Sequence, residues 1–388
     1  MEKPPKLHAE IEIKSPPPPP FPLDFPDNAD DQKTPFFKSR SRRRRSDTWA
    51  ISVFVILHIG AFLATMIVND CWRNSHGDCA LESLGRFSFQ PLTENPFLGP
   101  SASALDKMGA LQQSFLAGHQ DWRLLTCPCL HAGAFHIIIN LSSVIFLGSY
   151  LEQEFGPLRT GIIYVLSAFF GSLIAALFVR NSPVVCSSGA LFGLVGATLS
   201  ALIRNWKFYT AKYVALAILC ALSAINFGIG LLPYVDNFAN IGGFLSGVLL
   251  GFVLLFNPQI REVALNKGGF YDYGVKSSTK LKEKLDRPVM RSVSLLLFTL
   301  VVAGTLVAVL QGLNVNHYCR WCRYIDCIPS ARWSCNSMTT SCELHSDLYC
   351  VKINSHTCHM VIADYEALQW EFDNEWFGNF SLKFTDPF

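Results

Sequence analysis

Charged side chains are scarce in this chain. Asp, Glu, Lys and Arg make up 16% of its 388 residues, against 50% hydrophobic ones, which is too apolar for an ordinary soluble domain. No cleavable signal peptide is expected at the N-terminus, because residues 1–47 are polar and proline-rich where an apolar h-region would stand. The first apolar run is therefore expected to act as an internal signal-anchor. No internal repeat of fixed period is present. The apolar runs also lack a ring of acidic residues, and charge sits almost entirely between them, which argues against a channel or transporter.

What the chain does have is apolar runs close to the ~20 residues needed to cross a bilayer. They fall at 49–68, 135–151, 158–179, 188–203, 213–232, 239–256 and 292–312, and the fourth is short. The expected fold is an all-α polytopic membrane protein. Residues 1–47 form a Pro/Arg-rich arm expected to be disordered, with a proline run (Pro16–Pro20) that suits an extended spacer. Its arginines (Arg40 and Arg42–Arg45) directly precede the first span and place the N-terminus in the cytosol. A nuclear-localisation or nucleic-acid reading of these arginines fits poorly in so hydrophobic a chain. Counting sides from there makes the connections at 204–212 and 257–291 cytosolic, and both are rich in Lys and Arg. Seven spans send the tail, 313–388, to the lumen.

Seven of the thirteen cysteines lie in that tail (Cys319, Cys322, Cys327, Cys335, Cys342, Cys350 and Cys358). This density points to disulfides in an oxidising compartment. A zinc site is the weaker alternative, because Cys319 and Cys322 form a CxxC pair that no second CxxC pair follows. The odd number leaves one cysteine free or paired with Cys71 or Cys79 in the first loop. The Asn379-Phe380-Ser381 sequon also fits a lumenal tail.

Three polar sets interrupt the apolar runs, where polar groups are costly and mark either function or helix packing. His136 and Asn140 are four residues apart and share one helix face. The run Cys186-Ser187-Ser188-Gly189-Ala190-Leu191-Phe192-Gly193 opens the fourth span, and Asp236-Asn237-Phe238-Ala239-Asn240-Ile241-Gly242-Gly243 opens the sixth. By the side count all three lie in the lumenal half. Gly189 with Gly193, and Gly243 with Gly247 and Gly251, also suit a small-residue seam for close helix packing. A serine at a helix N-terminus beside amide and imidazole donors suits a nucleophile with an oxyanion hole.

These motifs, with Trp122-Arg123 in the first loop, resemble the rhomboid family of serine intramembrane proteases over about 49–335. The added seventh span and the His317-Tyr318-Cys319-Arg320-Trp321-Cys322 stretch are similar to the plant rhomboid-like proteins. The resemblance implies a six-helix core over 48–256 plus a seventh helix, and no small-molecule cofactor or metal. It also implies Ser188 as nucleophile, with His136, Asn140 and the Ser188 N–H as the oxyanion hole. Trp122, Arg123, Gly189, Gly193, Gly243 and Gly247 take structural roles.

The chain departs from this pattern twice. Family members carry Ala-His-x-Gly-Gly where this chain reads Ala239-Asn240-Ile241-Gly242-Gly243, and Cys186 stands where the Gly-x-Ser-Gly motif begins with glycine. An amide accepts a hydrogen bond but cannot hold the serine proton near neutral pH. No other histidine is placed to replace the base: His8 is in the arm, His58 in the first span, and His76 and His119 in the loop. His131 precedes the second span, and His317, His345, His356 and His359 lie in the tail. The expectation is a folded core with little or no peptidase activity that recognises transmembrane segments of client membrane proteins within the lipid. Asn240 is expected to hydrogen-bond Ser188.

Overall fold

The computed structural model describes residues 48–74, 79–204, 206, 211–255, 288–319, 321–328, 330, 335, 341–345, 348–353 and 357–362. The N-terminal arm, the basic loop up to residue 287 and the sequon at Asn379 lie outside the described residues. Among the described residues are seven long helices: α1 (Trp49–Asn69), α2 (Ala134–Phe155), α3 (Pro157–Phe178), α4 (Ser188–Arg204), α5 (Lys212–Ile229), α6 (Asn237–Leu254) and α7 (Pro288–Leu310). Six are long and apolar enough to cross a membrane, while α4, with 17 residues, is shorter. At 1.5 Å per residue α4 rises about 25 Å, short of a ~30 Å hydrocarbon core. It is buried along nearly its whole length by α2, α3, α5 and α6. In contrast, α1, α5 and α7 bury only a minor share of their surface and expose Ile56, Leu63, Val214, Ile225, Leu296 and Leu300.

The α4–α6 crossing is built backbone against backbone. A Cβ at Gly243 would collide with the carbonyl of Gly189, one at Gly247 with that of Gly193, and one at Gly196 with that of Phe244. α3 joins through Gly171, where an added Cβ would stand 2.8 Å from the Ala239 carbonyl. Van der Waals packing has to hold apolar helices together where lipid supplies no hydrophobic drive, and small residues permit this approach.

Polar contacts fix the helix ends. The buried Glu152 carboxylate at the end of α2 accepts from Ala50 N (2.8 Å) and Ile51 N (3.0 Å), satisfying the first turn of α1. At the same end of the bundle, Arg204 Nη1 donates to the carbonyls of Phe252 (3.2 Å) and Leu255 (3.5 Å), and Arg291 Nε to that of Val253 (3.3 Å). Two cations thus complement the C-terminus of α6. At the opposite end Asp236 Oδ1 caps α6 by accepting from Ala239 N at 2.8 Å.

The first loop folds around Arg123, which is 5% exposed. Its Nη1 donates to the carbonyls of Asp106 (2.8 Å) and Ala110 (2.7 Å), its Nε donates to Gln120 Oε1 (2.9 Å), and its guanidinium lies 3.8 Å from the Phe115 ring centroid. Trp122 also packs against it, 4.9 Å from guanidinium to ring centroid. Cys71 pairs with Cys79 and not with a tail cysteine. In the tail, Cys319 pairs with Cys322 and Cys327 with Cys335. Further on, an antiparallel sheet of β1 (Ser341–His345), β2 (Leu348–Ile353) and β3 (Thr357–Ile362) runs in the order β1-β2-β3. Sequence patterning did not anticipate this sheet, although the β-branched Val351, Ile353, Val361 and Ile362 carry a strand signal.

Because the Gly189 backbone cannot yield to a methyl group, Gly243→Ala should destabilise the protein by about 1–3 kcal/mol. Gly304→Ala in α7, where an added Cβ meets nothing within 4 Å, should be neutral. Thermal unfolding of the two variants in detergent checks this.

Candidate functional site

The segment leading into α4 is held on both flanks. Val184 and Leu111 exchange backbone hydrogen bonds (3.0 and 2.9 Å), Val185 N donates to the Tyr234 carbonyl (2.8 Å), and Cys186 N donates to the Cys127 carbonyl (3.2 Å). Cys186 and Cys127 are also joined by a disulfide, and both are fully buried. Sequence reasoning noted Cys186 as a departure but missed its partner. The available signal was the cysteine-rich approach to the second span, Cys127-Pro128-Cys129. Among the described residues Cys129 and Cys220 remain free.

Ser188 is the first residue of α4 and is 2% exposed, and its Oγ has no hydrogen-bond partner among the described residues. Its neighbour Ser187 accepts from Asn140 Nδ2 at 3.3 Å, which draws α2 against the start of α4. His136, one turn before Asn140, accepts from Ala132 N at its Nδ1 (3.2 Å) and leaves Nε2 unpartnered among the described residues. On the opposite flank the first turn of α4 meets α6, where an added Cβ on Gly189 would stand 3.1 Å from the Ala239 carbonyl. Asn240 follows there, fully buried. The first turn of α4 therefore lies between α2 and α6, which carry the other residues expected at the site.

The expected hydrogen bond from Asn240 to Ser188 is not made. Asn240 Nδ2 donates to Asn237 Oδ1 at 2.8 Å, and Asn240 Oδ1 has no partner among the described residues. An acceptor three residues back on the same helix is always within reach, so the local bond wins.

Two further features were not legible in the sequence. Three imidazoles form a row at this end. His58 of α1 meets His131 edge-on at 5.0 Å between centroids, and His131 lies 5.2 Å from His136. His58 Nε2 is 2.7 Å from the Tyr164 hydroxyl, and His131 Nε2 is 3.3 Å from Asn140 Nδ2. His131 thus comes closer to the site than its sequence position suggested, but the Asn140 amide bonds both it and Ser187. Among the described residues no group of three or more His, Cys, Asp or Glu side chains is arranged to hold a metal ion.

The second feature is the tail, which docks on the N-terminus of α6. Asp326 Oδ1 accepts from Asn237 N at 2.9 Å, and Asn237 Nδ2 donates to the Ile325 carbonyl at 2.8 Å. Ile328 N donates to the Leu231 carbonyl at 3.0 Å, and Arg180 approaches Asp326 at 3.8 Å. Asn237 therefore links the tail to Asn240. Asp326 and Asp236 are both buried at this junction. Burial pushes the Asp236 carboxyl up to about 6, against the Ala239 and Phe238 N–H groups and Arg180. Burial, and then the Asp236 charge, push Asp326 well above the carboxylate range, against the Asn237 N–H and Arg180.

Carboxyls whose folded pKa is raised bind protons more tightly in the docked state than in the open chain. Their stabilising contribution is complete below about pH 4; for Asp236 it is lost as pH rises through about 6, and for Asp326 as pH rises through its own raised pKa. The thermal midpoint should therefore rise as pH falls from 7.5 to 5. Asp326→Asn should remove most of that slope, as a pH series of melting curves will show.

Comparison with known proteins agrees with this geometry. Residues 118–257 match the family model of the Rhomboid domain. The chain is 55% identical over 316 residues to "Inactive RHOMBOID-like protein 8" of Arabidopsis thaliana, covering 81% of this chain and 90% of the relative. It is 46% identical to "RHOMBOID-like protein 1" of the same plant, over 76% of this chain and 75% of the relative. It is 30% identical to "Inactive rhomboid protein 1" of Bos taurus, over 58% of this chain and 24% of that longer relative. With the helical core, the placement of the polar residues on α2, α4 and α6, and near full-length relatives all in agreement, this chain belongs to the rhomboid family.

Proposed function

We propose that this protein is a non-catalytic rhomboid-like protein of the secretory pathway that binds transmembrane segments of client membrane proteins and regulates their trafficking or processing. The observation that carries this reading is Asn240. At the position where the family resemblance calls for a histidine base stands an amide whose nitrogen is committed to Asn237. A serine hydroxyl without a base is a poor nucleophile, and losing the base in serine hydrolases costs on the order of 10⁴–10⁶ in rate. The Cys127–Cys186 bridge adds to it by tethering the segment just before Ser188. Two relatives carry the word inactive in their names, one of them over most of its length.

The scaffold that would recognise a helix is intact, with glycine-packed α3, α4 and α6 and buried polar groups on α2 and α4. Lipid covers the exposed apolar faces of α1, α5 and α7 in this reading. Disulfides in the first loop, before α2, before α4 and after α7 all fall on the side opposite the N-terminal arginines by the span count. That distribution supports a cytosolic arm and a lumenal tail.

A second reading, a slow serine endopeptidase, is favoured by the presence of Ser188, His136 and Asn140. One experiment separates the two. Membranes carrying the protein are incubated with a generic rhomboid substrate, and Ser188→Ala is the control. The expected result is no Ser188-dependent cleavage above background, with client helices still captured by crosslinking to the Ser188→Ala variant. Cleavage by the wild type at the rate of an active relative would overturn the proposal. Asn240→His should raise Ser188-dependent cleavage by about 10⁴ or more if the base alone is missing.

A further inference from the structure

The Cys319–Cys322 disulfide differs from the other three bridges among the described residues. Cys127–Cys186 spans 59 positions, and Cys71–Cys79 and Cys327–Cys335 span eight each, whereas Cys319–Cys322 spans three. A cross-link over so short a loop removes little freedom from the open chain, so it contributes least to holding the fold. Its two cysteines are also unequally placed. Cys322 is 4% exposed, while Cys319 is only half-buried. The bridge follows the end of α7 at Leu310 by nine residues, through a turn in which Cys319 N donates to the Val315 carbonyl at 3.1 Å. Around it Tyr318 (81%), Trp321 (67%) and Tyr324 (53%) are exposed. Aromatic side chains this close to a span suit the membrane–water interface, which sets the bridge at the height of juxtamembrane cysteines in neighbouring membrane proteins.

We propose that Cys319–Cys322 is a thiol–disulfide exchange site for juxtamembrane thiols. An incoming thiolate attacks Sγ of Cys319, the more exposed of the two cysteines, and forms a mixed disulfide. The Cys319–Cys322 bond breaks, and its electron pair leaves with Cys322 as a thiolate. A second thiolate of the same partner then attacks the partner's own sulfur in the mixed disulfide and releases Cys319 as a thiolate. The partner dithiol loses two electrons and two protons to become a disulfide, and the protein's pair gains them. A small disulfide oxidant of the glutathione class returns the pair to its oxidised form by the same two steps in reverse. This chemistry is independent of Ser188 and Asn240, so it stands or falls apart from the client-binding reading.

The full-length protein in detergent is equilibrated with mixtures of reduced and oxidised glutathione. Free thiols are then blocked and each cysteine is quantified by mass spectrometry. Cys319–Cys322 should open at a concentration of reduced glutathione at least tenfold below that needed for the other three bridges. Cys322→Ser should accumulate glutathione on Cys319, and Cys319→Ser should accumulate much less on the buried Cys322. Reduction of Cys319–Cys322 together with Cys327–Cys335 would overturn the proposal, and so would equal capture on both sulfurs. The wild-type titration needs no variant to fold.

Discussion

Everything at the site depends on two helices being allowed to touch at their backbones. Where α4 crosses α6, Gly189 and Gly193 face Gly243 and Gly247 with no side chain between them. In lipid, where apolar side chains gain nothing by leaving their surroundings, this close dispersion contact is what holds the pair. Its consequence is positional. It presses the first turn of α4, with Ser188, onto the first turn of α6, with Asn240, and α3 closes on both through Gly171. A chain that kept these glycines would keep the shape of a protease site whether or not it kept the chemistry.

On the non-catalytic reading proposed above, that separation of shape from chemistry lets the fold persist without the reaction. The glycine seam, the Arg123 staple and the Asp236 cap are each demanded by packing or by backbone hydrogen bonds. Asn240 is not. It is fully buried, and its amide nitrogen donates to Asn237 while its Oδ1 has no partner among the described residues.

Much of this was legible in the sequence because membranes simplify the code. Apolar runs gave the seven helices, the glycine spacing gave the α4–α6 seam, and His136, Asn140, Ser188 and Asn240 stood out as polar groups in apolar surroundings. The seventh helix begins at Pro288, a little before its apolar run, because a helix extends past the hydrocarbon while its first turns carry polar residues. The rest was hidden where partners are far apart in the chain. Nothing near Cys186 points to Cys127, and nothing near Asn237 points to Asp326, 89 positions away. His58 reads as an isolated polar residue of the first span until the fold sets it against His131. The Asn240–Ser188 bond failed as an expectation because a local acceptor outcompeted a partner on another helix.

The two ends of the bundle are secured by different means, and this bears on the order in which the molecule can be assembled. At one end Glu152, Arg204 and Arg291 hold helix termini through reversible hydrogen bonds. At the other, Cys127 and Cys186 can meet only after α2 and α3 have threaded the membrane and brought residue 186 back to the same face. The covalent bond there cannot guide insertion, because it has no partner until insertion through α3 is finished. Once formed it acts as a seal, after which the approach to α4 can no longer be withdrawn.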